Sequence, residues 1–211
     1  MKRLFQINFI FVPSNHNTMS RNVEFDRELA VSKAKEVFWE KGYNCTSMQD
    51  LVQAMKINRS SLYNTIGDKQ QLFLECIESY VKEVVDEATK KAEDEISPLN
   101  ALTKIIRDKA EWVVDCEKGC LGMKTIFEMA PNDEDVRKIL MRSNDSYNLL
   151  ISGLVQKAMD AGEIDSSEDA SLMAEYIMTT FTGWKQSFIL NRDPIKIKKM
   201  SEFLIRSITH K

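Results

Sequence analysis

The stretch Cys45–Phe73, CTSMQDLVQAMKINRSSLYNTIGDKQQLF, constrains the fold more than any other part of the chain, because it sets three helix boundaries close together. Thr46 with Gln49 reads as a capping box, in which each side chain satisfies an orphan amide of the other, so a helix is expected to begin near Ser47. Leu51, Val52 and Met55 give that helix an apolar face, while Gln49, Gln53 and Lys56 stay polar. Ile57 and Asn58 break the run. Asn is a favoured N-cap, so a second short helix is expected from Arg59 through Ser60, Ser61, Leu62 and Tyr63. Asp68 with Gln71 repeats the capping pattern and opens a longer helix through Leu72, Phe73, Ile77, Tyr80 and Val84. The pattern is helix, tight turn, helix, followed by a long helix.

A helix-turn-helix exposes the start of its second helix to base edges, while flanking polar groups hold phosphates. Arg59, Ser60 and Ser61 stand at that start. The candidate DNA-binding set is Thr46, Ser47, Gln49, Arg59, Ser60, Ser61, Tyr63, Asn64 and Lys69. Across three helices, Ala34, Phe38, Gly42, Thr46, Leu51, Leu62-Tyr63, Lys69 and Leu72-Phe73 resemble the N-terminal signature of TetR-family transcriptional regulators. Two positions depart from it: Ile66 stands where the family usually has Phe, and Met55-Lys56-Ile57 fills a turn where the family often has Gly.

Composition agrees with an all-α chain. Only seven Gly and four Pro occur in 211 residues, and no hairpin dipeptide separates alternating runs. A net charge of −3 excludes a protein that coats nucleic acid indiscriminately, although a sequence-specific reader needs only a local basic patch. Lys56, Arg59 and Lys69 supply one, diluted by Asp50 and Asp68. Residues 1–19 read as an N-terminal extension, flexible and not a secretory signal, since its apolar run is short and interrupted by Asn8. No run approaches the ~20 apolar residues of a membrane span, and unpaired cysteines suit a reducing cytoplasm.

Before and after the central stretch the helical pattern continues. Leu29, Ala30, Ala34, Val37 and Phe38 mark a first helix from Glu24 to Lys41, with Gly42 as its cap. Ser97-Pro98 starts a fifth, Cys120 to Met129 forms a compact sixth, and Asp133 or Asp135 opens a long seventh capped by Gly162. An eighth runs from Ser167 to about Leu190, and Asp193-Pro194 begins a ninth. In the eighth, Met173, Ile177, Phe181, Trp184 and Phe188 make a stripe too broad for one solvated helix. A core and an interface with a second copy are both expected of it, with Phe181 and Trp184 at the interface. The resemblance implies the same, since the last two helices of TetR-like proteins commonly form a four-helix dimer interface.

The expected organisation is therefore an extension over 1–19, a DNA-binding domain over 20–70 and a ligand-binding and dimerisation domain over 71–211. The expected partners are a palindromic double-stranded DNA operator, a second copy of the chain, and a small apolar or amphipathic ligand. Trp112, Cys116, Cys120, Met123, Phe127, Tyr147, Met178, Phe181 and Trp184 are candidate ligand-lining residues, because regulatory pockets are mostly apolar. Each is equally an ordinary core residue by type.

Cys120 has two open readings. At a helix N-terminus with Lys118 and Lys124 nearby its thiolate would be stabilised for oxidant or electrophile sensing, and Gly119-Cys120-Leu121 resembles a TetR subset with Gly-Cys there. A small buried apolar residue is the other. His16, His210, Cys116 and Cys120 lack zinc-site spacing, so no metal or cofactor is expected. With no nucleophile elbow and no Gly-rich phosphate loop, catalysis is not expected either. The rival to a regulator is an all-α interaction or carrier protein whose helix-turn-helix serves only packing.

Overall fold

The computed structural model describes residues 26–165 and 167–209, and of Ser61 and Thr65 the backbone alone. The expectations placed on residues 1–19, on Glu24, on His16 and on His210 lie outside the described residues. Nine helices form among them: α1 (Arg27–Lys41), α2 (Met48–Met55), α3 (Arg59–Thr65), α4 (Lys69–Glu93), α5 (Pro98–Asp115), α6 (Leu121–Glu128), α7 (Glu134–Asp160), α8 (Ala170–Asn191) and α9 (Pro194–Thr209). The all-α class is as the sequence predicts.

Local chemistry explains most boundaries. Asp26 caps α1 by accepting from the Leu29 amide, and Gly42 ends it at φ 79° with its N–H bonded to Phe38 O. The capping box of α2 is displaced by one residue from the expected pair: Ser47 and Asp50 form it. Thr46 cannot, because its hydroxyl donates to the Gly42 carbonyl at 2.6 Å and the residue is 2% exposed. At the turn that follows, Lys56 adopts the left-handed conformation at φ 55°, which explains why glycine suits this position. Asp68 and Gln71 form the predicted box of α4, and Ser97 and Pro98 begin α5 as expected. Asp133 caps α7, whose last turn closes at Ala161 before Gly162 at φ 71°. The eighth helix starts at Ala170, capped by Asp169, rather than at Ser167, and Arg192 ends it at φ 50°.

The sixth helix needs a correction of a different kind. It opens at Leu121, so the Gly-Cys pair does not stand at its start: Gly119 lies in the preceding turn at φ 74°, and Cys120 is the N-cap, outside the helix. The resemblance to a subset defined by Gly-Cys at the start of this helix therefore fails, and the family resemblance stands in its general form.

Two apolar clusters hold the chain together. One joins α5, α7, α8 and α9 through residues such as Ile106, Ile151, Ile177, Trp184 and Leu204. The other joins α1 to α4 with α6 and the start of α7, through Phe38, Leu51, Leu62, Ile66, Phe73, Leu121 and Val136. Phe38 meets Phe73 edge-on at 4.9 Å, a geometry favoured by the ring quadrupoles. Ile66, 6% exposed, fills its place as an apolar anchor without an aromatic ring.

Phe181 and Trp184 belong to the first cluster, 4% and 1% exposed, with ring centroids 5.4 Å apart. Their expected place on an interface stripe is overturned, because α8 turns this face inward onto its own chain. The apolar side chains that α8 and α9 leave exposed are others: Leu172, Tyr176, Ile189, Leu190, Ile195 and Phe203. Tyr176 and Phe203 line a shallow groove between the two helices.

Candidate functional site

Two clusters of polar side chains without partners among the described residues stand out. The first is the outer face of α3. Leu62 (0% exposed) and Ile66 pin this short helix to the core, and Arg59, Ser60, Tyr63 and Asn64 are left facing solvent. None of these four side chains makes a hydrogen bond or ion pair with the described residues. Of Ser61 only the backbone is described.

The flanking residues divide. Gln49 is exposed on the first turn of α2. Ser47 is exposed too, but its hydroxyl donates to Asp50 Oδ2 at 2.7 Å and accepts from the Asp50 amide. Lys69 lays its ammonium over the Tyr43 ring, 4.2 Å from the centroid. Thr46 is buried and engaged, so its hydroxyl is withdrawn from the phosphate-facing set. Asp50 is paired with Lys41 at 2.7 Å; that ion pair, with the Ser47 bonds behind it, holds its carboxyl below the usual carboxylate range. One of the two carboxylates expected to dilute the basic patch is thus neutralised.

The second place is a cavity among α4, α5, α6, α7 and α8, with two lobes of about 220 and 230 Å³ that share Tyr80, Val84, Lys109, Trp112, Cys120 and Tyr147. Six candidate ligand residues line it: Trp112, Cys120, Met123, Tyr147, Met178 and Phe181. Three do not. Cys116 caps α5 and its thiol donates to Gly119 O; Phe127 is 75% exposed; Trp184 is locked in the core. Sequence reasoning missed the polar lining of Lys109, Asn148, Glu175 and Lys185. A signal was present: Lys109 and Lys185 sit at core spacing among apolar residues, Ile105-Ile106 and Trp112-Val113 for one, Phe181, Trp184 and Phe188 for the other.

The chemistry of this lining is uneven. Lys185 donates to Val113 O at 2.9 Å and Cys116 O at 2.8 Å, carbonyls at the negative end of α5, the second of which also accepts from the Gly119 amide. Lys109 makes no hydrogen bond or ion pair with the described residues; its ammonium rests over the Trp112 ring, 4.2 Å from the centroid. Burial pushes the Tyr147 phenol up to about 12, keeping it neutral, and its hydroxyl has no hydrogen bond within the described residues. Asn148 Oδ1 is buried and unpaired.

Cys120 Sγ accepts from the Met123 amide and from the Tyr80 hydroxyl, each at 3.5 Å. Neither lysine expected to support a thiolate is available: Lys118 pairs with Glu36, and Lys124 donates to Trp39 O at 2.7 Å. Among the described residues no three His, Cys, Asp or Glu side chains gather as a metal site requires. No helix among them is long and apolar enough to cross a membrane.

Comparison with known proteins matches the two ends of this architecture separately. Residues 30–76 fit the profile of bacterial regulatory proteins of the tetR family, and residues 98–204 fit a tetracyclin repressor-like C-terminal domain. The HTH-type transcriptional regulator YezE of Bacillus subtilis is 34% identical over 163 residues, covering 75% of this chain and 84% of that protein. The HTH-type transcriptional repressor ComR of Escherichia coli is 23% identical over 165 residues, 75% and 77%. Among solved structures, a TetR transcriptional regulator from Chloroflexus aurantiacus superposes with a TM-score of 0.80 at 20% identity, covering 88% of this chain and 94% of its own. A cysteine mutant of the TetR family regulator CifR, solved with a 26bp double-strand operator DNA, superposes at 0.76 with 23% identity, covering 89% and 99%. At those identities the structures speak for the fold.

Proposed function

The chain belongs to the TetR family, whose members are DNA-binding transcriptional regulators rather than enzymes, and from that premise we propose that it is a homodimeric repressor released from a palindromic operator by a small molecule. Residues 20–70 carry DNA contact, and residues 71–211 carry ligand binding and dimerisation. The observation that carries the reading is the α3 face: a helix held by Leu62 and Ile66 that spends Arg59, Ser60, Tyr63 and Asn64 on nothing inside the chain. Arg59 reads a base, Ser60, Tyr63 and Asn64 add base and backbone contacts, and Gln49 and Lys69 approach the phosphates. CifR in complex with operator DNA supports this use of the fold, and ComR supports repression.

Dimerisation uses the outward side of α8 and α9, where Tyr176 and Phe203 are 55% and 63% exposed beside Leu172 and Leu190. Two copies meeting there present two α3 helices to half-sites one turn apart, about 34–36 Å. Ligand acts by population shift: Tyr80 and Val84 line the cavity from α4, the helix that runs directly out of the helix-turn-helix. Filling the cavity favours a position of α4 in which the two readers no longer match the half-site spacing.

Footprinting on the DNA flanking the protein's own gene tests this. Protection of two inverted half-sites about one turn apart is expected, with both halves appearing at the same protein concentration. Protection of a single half-site by a monomer, or none beyond bulk DNA, would refute it.

A further inference from the structure

We infer that Lys109 is the receptor for the anionic end of a small amphipathic ligand, a monocarboxylate whose apolar body lies against Trp112, Met178 and Phe181. The inference rests on the ligand-responsive reading above and names the class of ligand that the cavity takes. It begins from the difference between two lysines in one cavity. The Lys185 ammonium is held by two carbonyls at the end of α5, so its charge is compensated by the chain. Lys109 has only the face of an indole.

The acids that line its cavity are engaged elsewhere: Glu87 and Asp108 bind Lys91 at 2.9 and 3.1 Å, Glu83 binds Lys35, and Glu175 accepts from Asn148 Nδ2 at 3.4 Å. Lys185 adds repulsion, and the Cys116 and Cys120 thiols are weak partners. Burial, opposed in part by these thiols and Glu87, leaves the Lys109 pKa below the ordinary lysine value. Lys109 is half-buried, and a charge partly withdrawn from water without a counter-ion is costly, so a ligand that brings one recovers part of that cost on binding.

One more group fits the same ligand: the neutral Tyr147 hydroxyl has a proton to donate to a carboxylate oxygen. The lobe that Lys109, Trp112, Met178 and Phe181 line together, about 230 Å³, is smaller than the ~300–1,000 Å³ of sites for drug-sized molecules, which suits a compact ligand.

Phenylacetate and hexanoate, each paired with its neutral amide, test the inference by thermal shift on the full chain without DNA. Both carboxylates are expected to raise the unfolding midpoint more than phenylacetamide and hexanamide at equal concentration. Lys109→Met keeps the length of the side chain and removes the charge. It is expected to raise the midpoint of the empty protein, to bind the carboxylates about tenfold or more weakly, and to lose the preference over amides. Amides that bind as well as carboxylates, a variant that keeps the preference, or absence of binding by both carboxylates would each overturn it. Because these readings need no operator, failure of the DNA-binding reading shows separately, as loss of operator binding by the unliganded protein.

Discussion

The α3 face and the α4–α8 cavity are built on opposite plans. At α3 Leu62, with Ile66 just beyond the helix, faces the core while Arg59, Ser60, Tyr63 and Asn64 face outward without partners among the described residues; in the cavity polar side chains such as Lys109, Tyr147 and Asn148 are set inward among the apolar ones of the surrounding helices. Both places leave hydrogen-bonding capacity unused by the chain. Other polar groups are spent internally: Ser47 and Asp50 on a cap, Thr46 on a turn, Lys35 on Glu83 at 2.6 Å, Lys124 on Trp39.

That contrast breaks first, if it is wrong, on α8. Phe181→Asp buries a carboxylate in a core wall and is expected to cost several kcal/mol, enough to abolish cooperative unfolding and helical circular dichroism at 37 °C. Phe203→Asp sits on the outward side and is expected to keep the helical signal while sedimenting as a monomer with operator binding abolished. A folded, monomeric Phe181 variant would reverse the assignment of the two faces.

Arg59→Ala is expected to cost about 1–3 kcal/mol at one base pair per half-site and to relax preference there. Lys69→Ala should instead weaken all sequences alike, reducing the salt slope by about one unit for each phosphate it no longer neutralises. Competition binding across operators mutated at single positions separates the two; equal weakening on every sequence for the Arg59 variant would remove base reading from it.

Ser47→Ala deletes a cap and is expected to cost about 1 kcal/mol of stability by denaturant titration with no change in base preference. A change in preference would move Ser47 from the internal group to the DNA-facing one.

The smallest effect concerns Glu83. Burial raises its pKa, but the hydrogen bonds from Lys35 and Ser79 and the Lys35 charge outweigh that and leave it lowered. A carboxylate with a lowered folded pKa contributes stability that is fully present above its unfolded value, about 4.3, and lost as pH falls through the folded value. With Glu83 largely in solvent the contribution should stay under about 1 kcal/mol. Glu83→Gln should flatten the acid limb of the midpoint-versus-pH curve by that amount, and an unchanged limb would show the ion pair to be idle.

The two regions were not equally legible in the sequence. Caps and turns depend on residues three or four apart, so the helix-turn-helix, the α4 and α5 starts and the exposure of Arg59 could be read directly. Even there a local ambiguity cost one residue: Thr46-Gln49 fits the capping template better than Ser47-Asp50, and only the Gly42 carbonyl, which captures the Thr46 hydroxyl, decides between them. The cavity depends on which helix faces meet across a hundred residues. A stripe such as Ile177, Phe181, Trp184 announces that something covers it, but its spacing does not distinguish the same chain from a second copy. Lys109 was hidden in the same way, as one polar residue in an apolar run, and its isolation becomes visible only once Glu87 and Asp108 are seen bound to Lys91.

The grip of α6 on the α1–α2 turn has a consequence for how such chains exchange parts. The Glu128 carboxylate accepts from the Tyr43 and Asn44 amides at 3.1 and 2.7 Å, close enough to Gly42 that an added Cβ would stand 2.9 Å from it, and the Trp39 indole donates to Gly119 O at 2.7 Å. Leu121 and Val136 complete the cluster that holds Phe38 and Phe73. A recombination junction near residue 70 would therefore cut through one apolar core and strand two backbone amides. Grafted onto a foreign body, the segment would need a carboxylate and an apolar pair supplied at the same places, so substitution of the exposed α3 side chains disturbs the fold far less than a swap of the whole segment.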